Sequence, residues 1–345
     1  MKPPVTVDGR PLRQSYELVL AHEHVFIDTR CWLDETHAPT RHLRDEPLTA
    51  GNLAEVRSNP FACLDNLLLD DPGEMVSELV LVPAREETLI VDVTPANVGR
   101  DPARLASVAQ AAGLDLVFGC GRYIAESRPA DDIRLTADDY RDEIVAEFAD
   151  DARRPAVIGE IGTGDPIQPI ERESLRGAAL AQAELAVPLY VHLHPWARRG
   201  HEALDIVEDA GGDLGRTVLC HLDPQISGGL DYHVELCGRG ATIAFDIWGD
   251  EFDYGAVAMP SDDERLEATF ELIDRGYGDR LVHAQDVCTK TQLRRFGGPG
   301  YSHLPRVVAP RMRAAGLDDG ELHRQLAGNV LSLLGVGAYA NDEAR

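Results

Sequence analysis

The stretch SYELVLAHEHVFIDTR, residues 15–30, sets two histidines one residue apart at the end of an apolar run. On an extended strand alternate side chains share a face, so Leu18, Leu20, His22 and His24 are expected to point one way and bring two imidazoles together. Such a pair is half of a metal chelate. Taken alone it reads equally well as two polar residues at a strand-to-loop junction, because short motifs often match by chance. The other ligands have to come from elsewhere in the chain.

The elements that would position them follow a simple rhythm. Short apolar runs at 17–22, 88–93, 114–119, 156–160, 187–192, 216–221, 241–246 and 280–286 alternate with helical segments. DPARLASVAQAAG (101–113) is typical, with Asp101 as N-cap, Pro102 in the first turn and Gly113 as the stop. Further helices are expected at 137–152, 171–186, 201–211, 263–276 and 306–316. Eight apolar strands separated by helices predict a parallel sheet closed into a (β/α)8 TIM barrel. An open doubly wound sheet is the alternative, but no G-x-G-x-x-G follows the first strand. The stretch from Thr29 to Glu87 is too long for one βα unit and reads as an insertion (29–87) with helical candidates at 61–69 and 73–82. With no internal repeat, the chain (1–345) is read as a single domain ending in a loosely held tail, 335–345.

In such a barrel the chemistry sits at the C-terminal ends of the strands. The first run ends in His22 and His24, the fourth in Glu160, the fifth in His192, the sixth in His221 and the eighth in Asp286. These six residues are all able to bind a divalent metal, and they converge on one barrel mouth. Convergence, rather than any single histidine, predicts a metal site. His201, His233, His283 and His323 are read as ordinary core or surface residues.

Bulk properties narrow the partners. A formal charge of −26 opposes nucleic acid and anionic membranes, and no stretch offers the roughly 20 apolar residues of a membrane span. The six cysteines include no C-x-x-C pair and read as reduced thiols, so a cytoplasmic location is expected. The expected partner is a small-molecule substrate, with a homodimer left open.

The motifs LAHEHVF, VIGEIGTGDPIQPIE, VPLYVHLHP, VLCHLD, AFDIWG, VHAQDV and GGPGYSHL, in this order, resemble the phosphotriesterase-like branch of the amidohydrolase superfamily from about Val7 to Leu334. The resemblance implies two divalent ions per chain: His22, His24 and Asp286 on the more buried one, His192 and His221 on the more exposed one, Glu160 and a hydroxide bridging. Many members bridge with a carboxylated lysine. Here Lys2 and Lys290 are the only lysines, so Glu160 has to serve directly. Zinc is the expected ion, with Mn2+, Co2+ or Fe2+ as alternatives.

That site implies hydrolysis of a lactone, ester or amide, with phosphotriester cleavage as a side reaction. Asp286 is the expected proton acceptor, and Asp246, matching a carboxylate behind the family's ligands, the expected continuation of its relay. Tyr123, Arg122 and Trp248 are expected to contact substrate, and Arg30, Arg122 or Arg198 to hold one anionic group. Three alternatives are a true phosphotriesterase, a mononuclear deaminase and a non-catalytic metal-containing binding protein. The deaminase is disfavoured because HLHPWARR (192–199) has no acid after the fifth-strand histidine, and the binding protein because Asp286 is present.

Overall fold

A computed structural model describes residues 3–150, 153–252 and 258–336. The apolar runs form eight strands: β1 Leu18–Glu23, β2 Thr88–Asp92, β3 Asp115–Cys120, β4 Val157–Gly162, β5 Leu189–His192, β6 Thr217–Leu219, β7 Thr242–Phe245 and β8 Leu281–His283. Each pairs in parallel with the next, giving a sheet in chain order with helices between the strands, a (β/α)8 barrel. Residues that alternate along the strands separate into two layers. Val19, Ala21, Val91, Val117, Val157 and Tyr190 belong to an inner cluster closed at one end by Val330 and Leu331. Leu18, Leu20, Ile90, Leu116, Ile158 and Leu189 pack against the surrounding helices. Among the described residues no helix is long and apolar enough to cross a membrane.

Helix signals in the sequence work as local chemistry requires. The Asp101 side chain accepts from the N–H groups of Ala103 and Arg104, and Gly113 ends the helix Pro102–Ala112 at φ +72°. Two expectations fail. The segment 61–69 is not a helix: it holds a 3-10 turn, Pro60–Ala62, and a short strand, Leu68–Leu69, that pairs antiparallel with Ile27–Asp28. Long-range pairing outweighs local pattern there. Conversely, the helix Asp231–Gly238 was not anticipated. The tail assigned to 335–345 falls outside the described residues from 337 onward.

Closure of the barrel depends on a side chain. Among the described residues β8 and β1 share no strand ladder; the Glu23 carboxylate instead accepts from the N–H groups of Gln285 and Val287, and the Asp286 N–H donates to the His22 carbonyl at 3.3 Å. Burial drives the Glu23 carboxyl up to about 8, against the two N–H donors that favour its charge. A second buried network braces β7. The fully buried Arg265 donates to Asp223 at 2.8 Å, Asp262 at 3.1 Å and the Asp250 carbonyl at 2.8 Å, while Asp223 accepts from the Asp246 N–H at 3.0 Å. Removing the cation would leave the buried Asp223 carboxylate without its counter-charge. Arg265→Ala is therefore expected to cost about 3–5 kcal/mol in urea unfolding; a loss under about 1 kcal/mol would show the network to be dispensable.

Candidate metal centre and active site

The strand alternation that suggested a shared face for Leu18, Leu20, His22 and His24 does not hold through β1. Leu18 and Leu20 pack outward, whereas the pairing with β2 shifts register between Leu20 and Glu23. An irregularity of that kind re-aims the following side chains, and here it turns His22 into the barrel mouth. The same device recurs in β4, where register shifts between Ile158 and Ile161 around Glu160. Glu160 thus lies within the strand rather than at its end. Gly159 makes this arrangement possible: its φ is +116°, and a Cβ there would stand 2.3 Å from the Tyr190 carbonyl oxygen. His221 (φ +60°) and Asp286 (φ +47°) also hold left-handed backbone, which side-chain-bearing residues adopt infrequently.

Together these elements bring all six expected ligands to one point. His192 Nδ1 and His221 Nε2 are 2.9 Å apart, and each lies 2.7 Å from Glu160 Oε1. His22 Nε2 is 3.6 Å from the same oxygen and 3.7 Å from Asp286 Oδ1. His24 Nε2 sits 3.2 Å from Asp286 Oδ1 and 3.8 Å from Glu160 Oε2, so the two Glu160 oxygens face different histidines.

Three of the imidazoles are oriented from behind. His24 Nδ1 lies 2.8 Å from Thr94 Oγ1, His221 Nδ1 3.1 Å from Asp246 Oδ1, and His22 Nδ1 3.0 Å from Asp246 Oδ2 but off the hydrogen-bond direction. That leaves Nε2 of each ring pointing inward. The donor set fits divalent cations: His22 Nε2 is fully buried with no hydrogen-bond partner, and several nitrogen and oxygen acceptors crowd one small space.

Not every expected site residue is at the cavity. Asp246 is fully buried behind His22 and His221, with one carboxylate oxygen beside the Nδ1 of each ring. Arg122 is turned to Asp132 at 3.3 Å and Glu143 at 2.5 Å, because those acids satisfy it locally. Trp248 is buried in the core and donates to His283 Nδ1 at 3.1 Å. Tyr123 does reach the centre; its hydroxyl lies 3.4 Å from His192 Nδ1 and 3.5 Å from Nε2. Cys220 was read as an ordinary buried thiol, yet its sulfur shares the ligand cluster of His22 and Glu160. Burial, with Asp246 and Glu160 nearby, pushes that thiol well above its usual range.

Above the ligands opens a cavity of about 440 Å³, reached by His192, His221 and Asp286 from below. Cys31, Trp32, Pro60 and Phe61, from the segment after β1, form part of its wall. Their contribution had no signal in the sequence beyond the length of that segment.

Fold and site define a class of protein: a barrel with a metal-ligating floor beneath a small-molecule cavity at its C-terminal mouth. The chain belongs to the phosphotriesterase family, whose model matches residues 9–334 and whose members are metal-dependent hydrolases. It is 32% identical to the N-acetyltaurine hydrolase of Tetraodon nigroviridis, over 90% of this chain and 91% of that one. Among solved structures, a resiniferatoxin-binding protein from Rhodobacter sphaeroides is 40% identical with a TM-score of 0.90, covering 96% of this chain and 94% of that chain. The phosphotriesterase homology protein of Escherichia coli shares the fold, with a TM-score of 0.76 at 22% identity over 94% of this chain and 100% of that one.

The electrostatics of the metal-free cluster carry a pH signature. Burial opposes protonation of His22, His24 and His221, but Glu160, Asp246 and Asp286 around them outweigh it and raise all three above the ordinary 6.5; burial wins at His192, which is lowered. Raised histidines contribute stability that is complete below their unfolded value and lost as pH climbs through the folded one. Metal competes with those same protons. The rise in Tm on adding Zn2+ is therefore expected to be larger at about pH 8.5 than at about pH 6.5, by roughly 3 °C or more. An equal rise at both would show that zinc binds elsewhere.

Proposed function

We propose that this chain is a binuclear metal-dependent hydrolase acting at a carboxyl centre, in an amide, ester or lactone, with phosphotriester cleavage as a weaker side activity. The observation that carries the reading is the convergence of four imidazoles and two carboxylates on the floor of one cavity. His22, His24 and Asp286 would hold one ion, His192 and His221 the other, with Glu160 shared; the opposed directions of its two oxygens support that sharing. Zinc suits a set of nitrogen and oxygen donors. Ions at this site supply, when bound, a nucleophile from water at neutral pH and a Lewis acid for the substrate oxygen. Asp286 accepts the proton released as the nucleophile adds and returns it to the leaving nitrogen or oxygen. The relative named N-acetyltaurine hydrolase favours an amide among the carboxyl substrates.

Elemental analysis of fully loaded protein is expected to give about two ions per chain, and one or none would remove the binuclear reading. Glu160→Ala should lose an ion and nearly all turnover. Reconstitution of the metal-free wild type should need no bicarbonate, since Glu160 replaces the carboxylated lysine; a strict CO2 requirement would defeat the assignment. Asp286→Asn should keep the fold and lower kcat by on the order of 10²-fold or more, and near-normal turnover would mean that another group takes the proton. A phosphotriester cleaved with a far higher kcat/KM than amides, esters and lactones would reverse the proposed order of substrates.

A further inference from the structure

We infer that the cavity excludes anionic substrates and admits an uncharged one that carries a bulky apolar or aromatic group beyond the bond to be cut. The inference rests on the hydrolase reading above and adds the class of substrate.

The wall supplies the argument. Trp32, Phe61, Trp196, Ile247 and Met259 provide its large apolar surfaces. Its carboxylates and imidazole away from the ligand floor are Glu126, Asp165, Asp250 and His194, beside the thiols of Cys31 and Cys288; no lysine or arginine lines it among the described residues. His194 Nδ1 accepts from the Trp196 N–H at 3.4 Å, which leaves Nε2 as a donor for a carbonyl or water.

Arg30, Arg57, Arg122, Arg199 and Lys290 lie outside the lining and are held by carboxylates or a carbonyl, and Arg198 also lies outside it. Arg30 pairs with Asp28 at 2.5 Å, and Arg122 pairs with Asp132 and Glu143. Arg198 lies over the Tyr232 ring, 5.2 Å from its centroid, while Arg199 is held by Asp165 at 2.7 Å and Glu202 at 3.2 Å. Arg57 donates to the Phe296 carbonyl, and Lys290 pairs with Asp65. An anion entering this wall would lose its hydration and meet the Glu126 carboxylate, with no lysine or arginine among the described lining residues to offset either cost. Taurine conjugates carry such a charge, a sulfonate two carbons from the amide nitrogen. Ions at the floor act on the carbonyl; the far end of the substrate meets the wall.

The test compares two acetyl amides with the same two-carbon linker, N-acetyl-2-phenylethylamine and N-acetyltaurine, on the full chain loaded with zinc. The phenylethyl amide is expected to have a kcat/KM higher by about tenfold or more, the size of one modest interaction difference. A taurine conjugate turned over equally well or better would overturn the inference while leaving the hydrolase reading intact. If neither amide is hydrolysed, the same pair is compared by calorimetric binding. Tighter binding of the phenylethyl compound then upholds the cavity's selectivity although the amidase reading fails, and tighter or equal binding of the taurine compound overturns it. As a second measurement, Glu126→Arg should shift the ratio toward the anion by roughly fivefold, mostly through KM and less so at high salt. An unchanged ratio at low salt would also count against the wall as the source of selectivity.

Discussion

A carboxylate buried without water has to be neutralised, and Glu160 sets that requirement for the whole barrel mouth. It is buried to 1% exposure on a strand whose neighbours are apolar. Burial alone would raise its carboxyl, but His192 and His22 beside it, with hydrogen bonds from His192 and His221, hold it well below the usual range. Four imidazoles and Asp286 then face each other with more acceptors than protons to share. A divalent cation, able to take several such donors at once, would suit this arrangement.

Holding such an arrangement requires departures from regular structure, and the departures coincide with the ligands. Register slips at His22 and at Glu160, and left-handed backbone at His221 and Asp286, all lie at the mouth. Their support comes from outside the ligand set. Glu23 clamps the backbone on both sides of Asp286, Asp246 braces two histidines at once, and the Arg265 network holds the strand end that bears Asp246. Such residues fix the ligand atoms by packing and hydrogen bonding, which is how a site keeps its geometry before substrate arrives.

The charge of the chain and the character of its cavity are separate matters. A net −26 makes the molecular surface strongly acidic, yet many of the arginines that remain are spent on local ion pairs such as Arg122 with Glu143 and Arg199 with Asp165. The large apolar surfaces that reach the cavity come from the segment after β1 and the loops after β5 and β7. Specificity in this architecture is carried by loops, while the floor is set by strand ends.

The strand rhythm, the helix caps and the six residues that meet at the barrel mouth could be read in the amino-acid sequence, because periodicity and residue type are local properties. The expectation that Glu160 serves where many relatives carry a carboxylated lysine came from the family resemblance together with the scarcity of lysine, Lys2 and Lys290 being the only two. Which way each residue faces was not legible. Strict alternation placed His22 with Leu18 and Leu20, whereas a register slip, imposed by pairing between strands far apart in the chain, sends it to the other layer. For the same reason Arg122 and Trp248, sequence neighbours of cavity residues, face Glu143 and His283 instead, and Cys220, unremarkable in sequence, ends among the ligands. A sequence specifies which groups are available; the packing of distant segments decides which of them meet, since a one-residue change of register reverses every side chain that follows.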